Sequence, residues 1–144
     1  MQPDSTDWKI INILREEHVS NNAIARKLGV SEGMIRQRLR KLKEHDILRV
    51  RAQINPAALD NQQLALVAIN VIESHLLDEK AKEIAALDGV QAVSIATGRY
   101  DLLAEILVQS NKGLVQFLIE VLSKVEGITT TESFLMLKSY NKYV

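Results

Sequence analysis

The sequence predicts an α+β fold in two parts, a short helical unit followed by a unit in which strands and helices alternate. Apolar residues in the first 45 or so positions recur three and four apart, which is typical of helices. Beyond that stretch, β-branched and alternating runs are interleaved with helical patterns. The break falls near Pro56, the second of only two prolines. We therefore predict domains over 1–54 and 55–144.

Composition narrows the class of protein. The chain has 144 residues, nearly half of them apolar, which is enough for one good core or two small ones. It contains no cysteine, so disulfides, thiolate nucleophiles and cysteine-based zinc sites are excluded. We find no run of eighteen apolar residues and no signal-peptide pattern. We therefore expect a cytoplasmic protein without membrane contact, metal or cofactor.

The net charge of zero conceals an uneven distribution. Residues 1–55 carry 11 Lys and Arg against 7 Asp and Glu, whereas residues 56–144 carry 7 against 11. The basic residues are concentrated between positions 31 and 51. Because positive charges concentrated on one element attract a polyanion, the first half of the chain predicts a nucleic-acid partner.

The first predicted helix runs from Asp7 to Glu17. Trp8, Ile11 and Leu14 follow helical spacing. Three preceding residues have side chains that cap helices: Asp4, Ser5 and Thr6. We expect this helix to support the others.

A second predicted helix and a tight turn follow. The helix covers Asn21–Leu28 and begins after Ser20, a favoured N-cap residue. Gly29 suits the left-handed residue that ends a helix, Val30 is apolar and can plug the core, and Ser31 can cap the next helix. This order and spacing predict a helix-turn-helix.

The third predicted helix, from Glu32 to about His45, has one face for packing in the core and another for recognition of a partner. Three apolar residues at i, i+4 and i+7 form its inward face: Ile35, Leu39 and Leu42. Three cations repeat that spacing about 100° further round: Arg36, Arg40 and Lys43. Such a stripe fits the DNA major groove. The alternative is that these cations only solvate an exposed helix.

Position along this helix assigns roles. Glu32, Arg36 and Gln37 are placed to reach base edges, and the other cations to neutralise phosphates. The predicted DNA-binding residues are Ser31, Glu32, Arg36, Gln37, Arg38, Arg40 and Lys41, with Arg49 and Arg51 as further phosphate contacts.

The second half predicts the strand and helix order βαββαβ. A strand over Ile47–Ile54 links the halves and ends at Asn55-Pro56. The predicted elements after it are strands over 64–73, 91–97, 101–108 and 128–138, a helix over 78–87, and a helix capped by Asn111 that uses Leu114, Phe117, Leu118, Val121 and Val125. Two helices cover one sheet face, so we expect the bare face to be covered by self-association.

With these elements in place, the chain resembles the Lrp/AsnC (leucine-responsive, feast/famine) regulators over essentially its full length. The matching segments are an Asp-led first helix at Asp7, Leu28-Gly29-Val30-Ser31, the Arg-rich helix, Asn55-Pro56, Thr97-Gly98-Arg99-Tyr100-Asp101-Leu102 and Gly127-Ile128-Thr129-Thr130-Thr131. Two positions depart from the pattern. Asp46 stands where the family usually has Gly, and Arg51 where it has an aromatic residue, which puts the hinge geometry in question.

The resemblance implies a winged-helix-like DNA-binding domain, a ferredoxin-like effector domain, and dimers that pair through the linking strand and sheets. It also implies assembly of four dimers into an octamer, binding to double-stranded promoter DNA, and a response to amino acids. The implied effector-binding residues are Gly98, Arg99, Tyr100, Asp101, Thr129, Thr130 and Thr131. These residues have a structural alternative, because the glycine and aspartate suit a turn and the threonines suit a strand.

An enzymatic function is disfavoured. His18, His45 and His75 lie far apart, and no metal-binding spacing, nucleophile elbow or phosphate loop is present. Two alternatives to an amino-acid-sensing regulator remain. One is an enzyme similar to the siroheme decarboxylases, which resemble this chain in their two-domain architecture, although the basic stripe argues against it. The other is an orphan regulator, which would use its second domain only to oligomerise.

Overall fold

A computed structural model describes all of residues 1–144 and divides them into two compact units, Met1–Ala52 and Gln53–Val144. The first is helical and the second holds a four-stranded sheet with helices. None of the helices combines the length and the apolar composition that a membrane span requires.

Three helices form the first unit: α1 (Ser5–Glu16), α2 (Asn21–Leu28) and α3 (Glu32–Glu44). The start of α1 lies two residues earlier than predicted, because Asp4 is the N-cap. The helical spacing of Trp8, Ile11 and Leu14 does not mark the buried face, since the Trp8 side chain is half exposed. The buried face consists of Asp7, Ile10 and Ile11. A charged residue at the start of this face hid it in the sequence.

The turn between α2 and α3 has the predicted chemistry. The Ser20 hydroxyl accepts a hydrogen bond from the Ala23 N–H, and the Ser31 hydroxyl accepts one from the Met34 N–H, both at 3.2 Å. Between them, Gly29 has φ +67°, the left-handed conformation that a helix end requires. These caps fix where each helix ends and therefore how α3 leaves the turn.

The core of the first unit lies between the three helices. Ile10, Ile24 and Ile35 are fully buried at its centre, one from each helix. Leu39 packs with them, and Leu42 is also buried, so the predicted inward face of α3 is confirmed. Because that face is occupied by packing, only the remaining surface of α3 can meet a partner.

The predicted linking strand over Ile47–Ile54 is not present in the single chain. Residues 47–55 form no sheet ladder, and Val50 and Ile54 remain about half exposed. Ile54 exchanges two backbone hydrogen bonds with Val144, at 2.8 and 3.0 Å. An extended segment becomes a strand only when a neighbour pairs with it, and the rest of this segment has no such neighbour within the chain.

The second unit has the predicted βαββαβ order. Its elements are β1 (Gln62–Val71), α4 (Leu77–Ala85), β2 (Val90–Ile95), β3 (Leu102–Gln109), α5 (Ser110–Gln116) and β4 (Ile128–Leu135). The sheet is antiparallel throughout, in the order β2-β3-β1-β4. The two central strands therefore pair with each other, as in ferredoxin-like folds.

The helix after β3 differs from the prediction at both ends. Asn111 is not its cap, because the helix already begins at Ser110, whose N–H donates to the Asn61 carbonyl at 2.8 Å. A π-helical turn, Phe117–Val121, then continues α5. This wider turn moves the apolar face on by one residue, so that Leu122 is buried whereas Val121 is only partly buried.

Side chains alternate across the sheet. Those of Val67, Ile69 and Ala104 are buried beneath the helices. The opposite face carries Leu66, which lies across from Glu105 on β3 and Phe134 on β4. The end of the chain returns to this face, where Lys142 pairs with Glu105. The face expected to be bare is thus partly covered by the chain itself.

Two glycines of the first unit should respond oppositely to alanine. Gly29→Ala should lower the free energy of unfolding by about 1–2 kcal/mol, because it places a Cβ in the left-handed region. Gly33 lies in α3 with open space around it, so Gly33→Ala should raise that free energy by about 0.4–1 kcal/mol. Urea unfolding followed by the fluorescence of Trp8, the single tryptophan, measures both. Effects of the same sign would contradict the assigned turn geometry.

Candidate nucleic-acid interface and effector site

The outward face of α3 presents two arginines to solvent. The side chains of Arg36 and Arg40 are 71% and 70% exposed. Each lies near a carboxylate one turn away, with Arg36 3.5 Å from Glu32 and Arg40 3.8 Å from Glu44. Exposed pairs of this length contribute little, so a phosphate or a guanine edge can replace either carboxylate.

The other predicted DNA-binding residues lie around the same helix. Gln37 and Lys41 are exposed beside the two arginines, and Gly33, about one turn before Arg36, adds no side chain. Ser31 lies at the N-terminal end of α3, where its hydroxyl is already used as the cap. The helix therefore offers cations, an amide and a carboxylate on one open surface.

Arg38 differs from the other arginines of α3. Its side chain is only 28% exposed, and its Nη1 lies 2.7 Å from Asp4 Oδ2 and 2.8 Å from Asp7 Oδ1. The Asp7 side chain is 5% exposed. Sequence reasoning placed Arg38 among the phosphate contacts and missed these partners, which lie more than thirty positions away. The structure ties this guanidinium to the start of α1.

The two carboxylates also build the start of α1. Asp4 Oδ1 accepts the N–H groups of Thr6 and Asp7 at 2.8 Å, while Asp7 Oδ2 accepts the Asp4 N–H at 3.0 Å. The hydrogen bond from the Asp7 N–H, followed by that from Arg38, holds the pKa of Asp4 below its ordinary value of 3.8. Asp4 therefore stays ionised, and accepts from Arg38, down to a lower pH than an ordinary aspartate would.

In the second unit, the hairpin between β2 and β3 carries four of the predicted effector residues. Gly98 has φ +118° and no atom near the position of a Cβ. The Arg99 guanidinium lies 5.7 Å from the centre of the Tyr100 ring, within reach of a cation–π contact. Asp101 Oδ2 accepts the Val71 N–H at 3.0 Å, so this oxygen serves the turn.

Asn70, which sequence reasoning missed, connects the hairpin to β4. Its Oδ1 accepts the Asp101 N–H at 3.1 Å and its Nδ2 donates to Thr130 Oγ1 at 3.0 Å. The Thr129 hydroxyl donates to the Asn70 carbonyl at 3.1 Å. The hairpin, Thr129 and Thr130 are thereby brought together. The available signal was Asn70 itself, the one polar residue within the apolar run 64–72.

Thr131 is not part of this cluster. It pairs with Ile69, the neighbour of Asn70, and alternation places its side chain on the opposite face of the sheet from that of Thr130. Nowhere in the chain are three His, Asp or Glu side chains grouped so that they could hold a metal ion.

Two family models match the two units. Residues 3–49 match a winged helix-turn-helix DNA-binding domain, and residues 64–143 match the Lrp/AsnC ligand binding domain. Together they span most of the chain.

Relatives match over nearly the whole chain. An HTH-type transcriptional regulator of Pyrococcus furiosus, described as uncharacterized, is 36% identical over 135 residues, which cover 92% of this chain and 90% of the relative. The HTH-type transcriptional regulator LysM of Saccharolobus solfataricus is 31% identical over 95% of both chains.

Solved structures share the fold. The transcriptional regulator NMB0573 of Neisseria meningitidis, crystallised as an L-Met complex, superposes with a TM-score of 0.72 at 20% identity, covering 98% of this chain and 94% of that one. The helix-turn-helix unit, the effector-domain fold and these matches agree, and the chain belongs to the Lrp/AsnC family of DNA-binding transcriptional regulators.

Proposed function

We propose that this regulator reads duplex DNA with the exposed face of α3 and that an amino acid bound to its second unit adjusts the reading. The observation that carries the DNA-reading surface is the division of α3 into two sides. Its apolar side is buried in the core, whereas Arg36 and Arg40 are largely exposed and make only long ion pairs with Glu32 and Glu44. A helix of this kind after a capped turn fits the major groove.

Position along α3 supports the individual roles. Glu32, Arg36 and Gln37 lie near its N-terminal end, the part that meets base edges in helix-turn-helix proteins, with Ser31 beside them. Arginine can pair with two acceptors of guanine, and glutamine can pair with adenine. Arg40 and Lys41 lie further along and would neutralise phosphates.

For the effector, the hairpin and the start of β4 supply groups of both charges. Arg99 would bind a carboxylate, and Asp101 Oδ1 would accept from an ammonium while Oδ2 stays with Val71. Thr129 and Thr130 add hydroxyls held close by Asn70. The L-Met complex of the Neisseria regulator supports an amino acid as the ligand class.

Assembly into homodimers, and of four dimers into an octamer, belongs to the same proposal. Two features support self-association. The extended segment 47–55 lacks ladder partners over most of its length, and Phe134 remains 41% exposed on the partly covered sheet face. A second copy can pair with the segment and cover the face.

The DNA proposal predicts enrichment of specific genomic fragments. Purified protein should recover a limited set of fragments from sheared genomic DNA of its source, and these should share a palindrome. Arg36→Ala/Arg40→Ala should lower affinity about 10- to 100-fold and flatten the dependence of log affinity on log salt by about 0.9 for each lost phosphate contact. Quantitative recovery at several salt concentrations measures both effects.

A matched control removes two cations elsewhere. Lys112→Ala/Lys124→Ala takes the same charge from exposed positions of the second unit and should leave fragment recovery close to that of the unmodified protein. If the unmodified protein recovered no more DNA than the Arg36→Ala/Arg40→Ala variant, the DNA-reading surface would be wrongly assigned. A tetrapyrrole-binding enzyme on the same architecture would then be the better candidate.

The effector proposal predicts a ligand-induced rise in thermal stability. At least one amino acid, added singly, should raise the melting temperature of the second unit, because a ligand at about 100 times its Kd stabilises the folded state by about 2.7 kcal/mol. Asp101→Asn should abolish the rise, whereas Ser94→Ala, at an exposed position on β2, should preserve it. Circular dichroism of the sheet gives the readout. No rise with any amino acid would favour an orphan regulator.

A further inference from the structure

We infer that Arg38 is a positioning residue for DNA recognition. It fixes the orientation of α3 on α1 through Asp4 and Asp7 and makes no contact with the nucleic acid. This inference rests on the proposed DNA-reading surface. It removes Arg38 from the phosphate contacts and adds two acidic residues to the groups on which DNA affinity depends.

The place of Arg38 on the helix supports this role. Arg38 follows Arg36 by two residues and is therefore rotated about 200° from it around α3. Its guanidinium reaches the first turn of α1, where Nη1 lies between the two carboxylates. One side chain cannot hold this position and also follow the exposed stripe into a groove.

The hydrogen bonding of the acidic pair is complete. Each of its four carboxylate oxygens has a partner: backbone N–H groups on Asp4 Oδ1 and Asp7 Oδ2, and Arg38 on Asp4 Oδ2 and Asp7 Oδ1. Asp7 is the one buried charged residue of the chain. A buried carboxylate is costly to leave without its cationic partner, so the position of Arg38 relative to Asp7 is strongly constrained.

The consequence is a fixed link between the supporting helix and the recognition helix. Apolar packing through Ile10 and Ile35 holds α1 and α3 together but tolerates small rotations, whereas a charge held by two directed hydrogen bonds does not. A rotation of α3 would move Arg36 and Gln37 relative to base edges. Loss of the link should therefore reduce DNA affinity although no DNA contact is removed.

Neutralising the acidic partners gives a test in which the two roles predict opposite signs. We would measure, at several salt concentrations, the affinity of the full chain for a genomic fragment that the unmodified protein recovers, with Asp4→Asn, Asp7→Asn, Arg38→Gln and the pair Asp7→Asn/Arg38→Gln. For a positioning residue, each single change should weaken binding about 3- to 10-fold, and the pair should be no weaker than Arg38→Gln alone. Arg40→Gln serves as the control with a direct contact and should also flatten the salt dependence.

If Arg38 instead bound phosphate, neutralising its acidic partners would free the guanidinium and strengthen DNA binding. That result would overturn the inference, as would unchanged affinity in all folded variants. Circular dichroism identifies which variants are folded. If the Asp7 variants unfold, two others still decide the test: Asp4→Asn changes the more exposed acidic partner, and Arg38→Lys keeps the positive charge. Arg38→Lys should retain more affinity than Arg38→Gln. Failure of the unmodified protein to bind any duplex would refute the DNA-reading surface itself.

Discussion

A buried carboxylate constrains the whole first unit. Asp7 lies on the inward face of α1, where burial without a partner would cost several kcal/mol. Arg38 supplies the partner from α3, and the Asp4 N–H supplies a second. One cluster of charges therefore caps the start of α1 and joins it to α3. The turn that ends at Ser31 fixes the other end of the same arrangement.

As a result, each face of α3 has a different role. Ile35 and Leu39 bury one side in the core, Arg38 binds α1 at its edge, and Arg36 and Arg40 remain for a partner. Neighbouring residues of the second unit also have different roles. On β1, Ile69 is buried under the helices, while Asn70 connects the β2–β3 hairpin to β4 through hydrogen bonds. In both units, residues that pack in the core thus lie next to residues on the surfaces assigned to ligands.

Local features of the chain could be predicted from its sequence. Ser20, Gly29 and Ser31 act through neighbours a few residues away, and the period of Ile35 and Leu39 needs no distant partner. Other features depend on distant groups. Arg38 and Asn70 find partners more than thirty positions away, and the stretch 47–55 requires a neighbouring strand that the single chain does not supply. The π-helical turn after α5 shifted the apolar face without any sign in the pattern.

Protection of single introduced cysteines by DNA would test the central assignment most directly, because the natural chain contains none. Gln37→Cys lies on the proposed reading face, whereas Lys112→Cys lies on α5 in the second unit. We expect a random-sequence duplex to slow alkylation at position 37 at least 10-fold and to leave position 112 unchanged. Equal rates at position 37 with and without bound duplex would contradict the assignment of the α3 face to DNA.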